Sequence, residues 1–175
     1  FFAEDRINRF RYMILADNDD ERNKALENLR KVQTQDFYEL FKIMDGYPVT
    51  IRLLDAPLHE FLPTTRESMA EFVKIASKEN KSLTGAKIRS RSQMLREFNP
   101  MLGHRGVRIA ISFPEIYRMQ VRAIFEAAYK LKSEGVHAKP EIMIPLVMTA
   151  SEIKVVRNGK RIEGKQILGI RDIEE

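Results

Sequence analysis

The sequence predicts an α/β fold with parallel strands, organised as a partial (β/α)8 TIM-type barrel with additional helices. Three observations lead there. Short apolar runs near residues 48–54, 107–111 and 140–147 alternate with long amphipathic stretches, the order expected of βαβ units. Two of those runs read as strands covered on both faces: Val49, Ile51, Leu53 and Leu54 around Thr50 and Arg52, and the apolar Ile142-Met143-Ile144-Pro145-Leu146-Val147. A complete barrel takes about 250 residues, so the three or four strands available in 175 residues supply only part of one.

The elements follow in order. Residues 4–15 read as a helix with Ile7, Phe10 and Ile14 on one side. Asp19 or Asp20 is the expected cap of a second helix carrying Leu26 and Leu29. Thr34 is the expected cap of a third, with Phe37, Leu40, Phe41 and Met44 at helical spacing. Gly46 stops it and Pro48 opens the first strand. Asp55 to Pro63 is a loop, and Thr64-x-x-Glu67 has the form of a capping box before Met69, Phe72, Val73 and Ala76. A basic helix runs from about Ser82 to Phe98, followed by a compact loop through Gly106. Val107–Ile111 reads as a strand, and Ser112-x-Pro114-Glu115 opens the longest helix, with Ile116, Met119, Ala123, Ile124, Ala127 and Leu131 on its apolar face. Gly135 ends it, and Pro140–Val147 is the next strand. Beyond it, Val155–Ile162 looks like a hairpin turning at Asn158-Gly159, where a barrel would call for a helix. Residues 1–175 thus read as a single fragment of one barrel domain, with 147–175 an atypical tail. The start at Phe1 without a methionine makes the chain look like an excised piece.

Composition narrows the function classes. Apolar residues make up 43% and charged residues 31%, values of a soluble globular protein. No apolar run approaches the roughly 20 residues that span a bilayer, and no secretory signal pattern is present. Without a cysteine, these residues carry no disulfide, thiolate metal site or cysteine nucleophile. The net charge of +5 and pI near 9.5 leave nucleic acid, membrane surface and small anions as partners. Lys87, Arg89, Arg91, Arg96, Arg105 and Arg108 stand against Glu97 in one stretch, either a solvated helix face or a source of phosphate ligands. Only Phe98 interleaves that stretch, so it lacks the stacking platform of a nucleic-acid binder.

Two positions carry readable chemistry. Arg52 stands near the C-terminal end of its strand, the end at which parallel α/β folds bind ligands, with Asp55 and His59 in the following loop. It is either a phosphate or carboxylate clamp or one half of an Arg52–Asp55 ion pair stiffening the strand end. Because Arg52 sits in a strand read as buried, it also needs a partner. Arg105 lies between Gly103 and Gly106 with His104 beside it, in a loop whose glycines let the backbone approach a ligand or simply turn at the surface. No His, Asp or Glu cluster has metal-ligand spacing, so no metal site is expected within these residues, and no Walker loop or nucleophile elbow is present.

Segments of the chain go beyond pattern. Thr50-Ile51-Arg52-Leu53-Leu54-Asp55-Ala56-Pro57-Leu58-His59-Glu60-Phe61 and Phe98-Asn99-Pro100-Met101-Leu102-Gly103-His104-Arg105-Gly106 resemble two active-site signatures of the pyruvate, phosphate dikinases. Pro140–Val147 resembles a third, and Phe1-Phe2-x-Glu4-Asp5-Arg6-Ile7 resembles the stretch after that family's first barrel strand, so order and spacing agree from the start to about Val147. Ala56 stands where the family usually has proline and Val107 where cysteine is common.

The resemblance implies a cytoplasmic phosphotransferase that interconverts ATP, phosphate and pyruvate with AMP, diphosphate and phosphoenolpyruvate. It places the phosphoryl- and substrate-binding arginines on Arg52 and Arg105, with Asp55, His59 and His104 as loop support. It also implies magnesium held by ligands outside these residues, a phosphohistidine domain and a nucleotide-binding domain as partners, and a homodimer. No catalytic residue is expected within the segment, nor turnover from it alone. The rival readings are a related enzyme of the phosphoenolpyruvate synthase type, which forms no diphosphate, and a non-catalytic remnant or interaction module.

Overall fold

The structure is a computed structural model that describes residues 4–79, 83–95, 103–162, 165–167 and 169–173. The chain forms two compact units. One comprises Phe1–Leu29 with Ala56–His104, the other Arg30–Asp55 with Arg105–Glu175.

The first unit is helical. Helix α1 (Glu4–Leu15) and the first residues of α2 (Asp19–Ile43) are followed, after Ala56, by a 3-10 turn (Leu58–Phe61), α3 (Arg66–Glu79) and α4 (Gly85–Leu95). The apolar spacing of α1 buries Phe10, Met13 and Ile14, and Phe10 stacks on Phe61 at a centroid distance of 4.8 Å. Arg11 donates from Nε to the Phe61 carbonyl at 2.8 Å and lies 5.1 Å from the Phe72 ring centroid. Burial pulls its guanidinium pKa down, partly opposed by the charge of Glu71. The cap of α2 is Asn18 rather than Asp19 or Asp20: its Oδ1 accepts from the Glu21 amide at 2.9 Å. The cap of α3 is Thr65 rather than Thr64, since Thr65 Oγ1 accepts from Ser68 N at 3.1 Å. The predicted start and end of the basic helix, at Ser82 and Phe98, lie outside the described residues, as do Phe98–Leu102 of the second signature.

The second unit holds the sheet. Strand β1 (Pro48–Arg52) pairs in parallel with β2 (Lys139–Met143), Pro48 opposite Lys139 and Arg52 opposite Met143. Among the described residues this sheet has two strands and does not close into a barrel. The apolar run at 48–52 therefore does not become a buried strand. Its positions alternate between exposed and half-buried, because burial requires flanking strands that local sequence cannot provide. Helix α6 (Pro114–Ser133) is the main apolar wall of the unit, and all six predicted face residues, from Ile116 to Leu131, are buried.

Other elements depart from the sequence expectation. Residues 19–43 form one helix, with no Gly or Pro to break it, and Thr34 returns its hydroxyl to the Arg30 carbonyl at 2.9 Å instead of capping. Val107–Ile111 is not a strand but the core of a short helix, α5 (Val107–Ser112). Six residues are too few for periodicity to separate the two states. The turn into α5 is made by Gly106 at φ +57. The tail begins with helix α7 (Ala150–Asn158), where a hairpin turn at Asn158-Gly159 was expected. Thr149 and Glu152 form a complete capping box. The hairpin comes later, between β3 (Lys160–Ile162) and β4 (Lys165–Ile167), and a second 3-10 turn (Arg171–Ile173) follows. No helix among the described residues is long and apolar enough to cross a membrane.

Candidate anion-binding site

The site is built at the C-terminal ends of the two parallel strands. The ladder closes with Leu53 donating to the Met143 carbonyl at 3.0 Å, so Arg52 is the last strand residue and Asp55 lies just beyond. The opposite wall is the entry to α5. Val107 donates its amide to the Pro145 carbonyl at 3.0 Å, which ties that entry to the end of β2. Gly106 permits the approach. A Cβ there would meet the Pro145 carbonyl oxygen at 2.9 Å, the Leu146 Cβ at 3.1 Å and Asp55 Oδ1 at 3.2 Å. Leu146 itself adopts φ 59, a left-handed conformation that costs a non-glycine residue about 1–2 kcal/mol. Strain of this kind persists where the surroundings over-determine the backbone.

Asp55 brings two arginines together. Arg105 donates from Nε to Asp55 Oδ1 at 3.2 Å and to the Asp55 backbone carbonyl at 3.0 Å, and its Nη2 lies 3.1 Å from Oδ2. The carboxylate thus receives a two-pronged guanidinium contact, the geometry in which arginine binds oxyanions most firmly. Arg52 reaches the same carboxylate, Nη1 lying 3.5 Å from Oδ2. Two guanidinium groups thus meet on one carboxylate. Asp55 is 14% exposed and Arg105 22%, whereas Arg52 is 63% exposed. The expectation of a buried Arg52 fails for the same reason as that of a buried β1.

The residue ahead of Asp55 is held from behind. Past the ladder, the Leu54 backbone needs new partners because Leu54 is buried. Gln120 Oε1 accepts from the Leu54 amide at 2.9 Å, and the Tyr117 hydroxyl donates to the Leu54 carbonyl at 2.8 Å. Both side chains project from one face of α6, three residues apart, and both are almost fully buried. Burial, and after it the negative charge of Asp55, raises the Tyr117 phenol well above the ordinary tyrosine range. Sequence reading missed Tyr117 and Gln120. The only local signal was a polar Gln on the buried stripe of an amphipathic helix.

The remaining predicted residues are placed separately. His59 lies in the 3-10 turn of the first unit, with Nδ1 buried and without a hydrogen-bond partner among the described residues. His104 also belongs to that unit. The first unit has its own cleft of about 500 Å³, lined by Arg9, Tyr12 and Lys24 among others, and none of the predicted site residues lines it. Among the described residues, no three His, Asp or Glu side chains converge as metal ligands. Both Asp55 oxygens face guanidinium nitrogens, an arrangement that does not fit a magnesium ion, and no step is routed through one.

Two arginines converge at the C-terminal end of a parallel sheet, the end at which α/β domains bind ligands. The chain belongs to the family described as PEP-utilising enzyme, PEP-binding domain, whose model matches residues 7–170. Individual relatives narrow the comparison. The chain is 54% identical over 176 residues to the pyruvate, phosphate dikinase of Treponema pallidum, covering 100% of this chain and 20% of that protein. It is 50% identical over 170 residues to that of Rhizobium meliloti, covering 97% of this chain and 18% of that protein. It is 44% identical over 175 residues to the chloroplastic pyruvate, phosphate dikinase of Mesembryanthemum crystallinum, covering 100% of this chain and 17% of that protein. The chain therefore spans a fifth or less of the length of these relatives.

Proposed function

We propose that this chain is the phosphoenolpyruvate/pyruvate-binding segment of a pyruvate, phosphate dikinase. The parent enzyme interconverts ATP, phosphate and pyruvate with AMP, diphosphate and phosphoenolpyruvate. Arg52 and Arg105 hold the phosphoryl group or the substrate carboxylate, and Asp55, His59 and His104 support the loops that carry them. The observation that carries the reading is the meeting of two guanidinium groups, from separate segments, on one carboxylate at the C-terminal end of parallel strands. Phosphoenolpyruvate bears a phosphate and a carboxylate, two oxyanions that a pair of arginines suits. Guanidinium groups fixed there offset charge on the migrating phosphoryl group without reorganising during the reaction.

In this reading residues 1–175 are one fragment of a barrel domain, and the strands flanking β1 and β2 complete a (β/α)8 architecture. The phosphohistidine and nucleotide-binding domains of the parent, its magnesium and its cytoplasmic location complete the proposal, together with a homodimer formed through this domain.

The test is steady-state kinetics of the intact enzyme carrying Arg52→Ala or Arg105→Ala. Each lowers turnover of phosphoenolpyruvate by far more than tenfold. A loss within about tenfold, roughly 1.4 kcal/mol of barrier, removes the assigned role. Diphosphate formation from ATP and phosphate separates the dikinase from a synthase-type relative.

A further inference from the structure

We propose that Tyr117 and Gln120 are positioning residues for the two arginines: by holding both backbone polar groups of Leu54, they set the direction in which Asp55 presents its carboxylate. This inference rests on the function proposed above and adds two residues to it.

The argument begins at the end of the ladder. After Leu53 bonds to Met143, β1 has no further strand partner among the described residues, and the chain turns within two residues to place Asp55 against Arg52 and Arg105. A segment leaving a sheet edge has free φ and ψ unless its amide and carbonyl are held. Here the Leu54 amide and carbonyl are each held by a single side chain, both from α6, at 2.9 Å and 2.8 Å. Gln120 and Tyr117 lie 66 and 63 residues from Leu54 along the chain, so the clamp is tertiary and not a local turn motif. Both side chains are buried, so removing either leaves a buried Leu54 polar group without its partner.

The next link is Asp55 itself. Arg105 Nε contacts both its backbone carbonyl and its side chain, so rotation of the Leu54–Asp55 backbone would move both acceptors at once. The Gly106 backbone also lies close to the carboxylate, since a Cβ there would meet Asp55 Oδ1 at 3.2 Å. An error of about an ångström in such a group is enough to cost a large factor in a reaction that depends on orientation. The hydrogen bonds of Tyr117 and Gln120 go to the Leu54 backbone, one residue before Asp55. They act through Asp55.

The experiment uses the intact enzyme with Tyr117→Phe, Gln120→Met and Gln120→Glu, alone and combined with Asp55→Asn. Tyr117→Phe and Gln120→Met are expected to lower kcat/KM for phosphoenolpyruvate about tenfold or more, while the half-reaction of ATP and phosphate keeps its rate. Gln120→Glu, which keeps an acceptor for the Leu54 amide, restores part of the loss and serves where Gln120→Met fails to fold. In double-mutant cycles the losses with Asp55→Asn are sub-additive, because both changes disturb one unit. Additive losses, or wild-type kinetics in Tyr117→Phe and Gln120→Met beside inactive Arg52→Ala and Arg105→Ala, overturn this inference alone. Wild-type kinetics in the arginine variants overturn the functional reading and this inference with it.

Discussion

Arg52, Asp55, Arg105 and Gly106 divide the work of the site among different physical roles. In the proposed site the two arginines supply charge, and Asp55 engages both guanidinium groups. Gly106 contributes by having no side chain. At φ +57 and ψ −132 its backbone lies where an L-residue is strained, and the nearest obstacle to a Cβ is the Pro145 carbonyl, which cannot rotate aside as a side chain can. Gly106→Ala is therefore expected to destabilise the protein by about 2 kcal/mol in urea or thermal unfolding, combining the left-handed penalty with the displaced contact. A change within about 0.5 kcal/mol, the range of ordinary surface substitutions, contradicts this account. Arg52 and Arg105 stand out in the sequence because their flanking residues form long runs, and the structure brings both onto Asp55. Gly106 was visible as a turn residue, but not that it packs against the carboxylate of Asp55.

Among the elements, α5 and α7 teach the same lesson from opposite sides. Val-Arg-Ile-Ala-Ile alternates as a strand does, yet it is helical because Gly106 turns the chain and the Val107 amide is spent on Pro145. Helix α7, in contrast, was announced by Thr149-Ala150-Ser151-Glu152, a capping-box sequence that the Asn158-Gly159 turn signal obscured. Asn158-Gly159 marks the helix end, Gly159 standing at φ +72, and not a hairpin loop. The cap has a pH signature. Hydrogen bonds from the Met148 and then the Thr149 backbone amide lower the Glu152 carboxyl below its ordinary 4.5. A depressed carboxylate contributes stability that is complete above its unfolded value and is lost as pH falls through the lower folded value. The Met148 and Thr149 amide resonances should accordingly titrate with a midpoint below 4.5, and Glu152→Gln should abolish the transition. A midpoint at or above 4.5 means the cap does not hold in solution.

For the whole molecule, the proposed role is one of binding and orientation. Among the described residues, two arginines converge on Asp55, and no three His, Asp or Glu side chains gather as metal ligands. In the proposed function the phosphohistidine and nucleotide-binding domains and the magnesium belong to the parent enzyme, so the rigorously purified 175-residue chain is expected to form no pyruvate from phosphoenolpyruvate in a coupled assay, whatever its affinity for it. Measurable turnover that follows the chain through successive purification steps and is lost in Arg105→Ala contradicts this. What the sequence determined by itself is local or carried by contiguous residues: helices α1, α3 and α6 with the buried stripe of α6, the existence of β1 and β2, and the family resemblance. Tertiary structure alone decided how β1 is covered, whether residues 107–111 coil, and how the Leu54 backbone is held. Each of these depends on partners dozens of residues away. Periodicity records which face of an element is apolar, but it cannot record what that face, or an unpaired backbone group at its end, will meet.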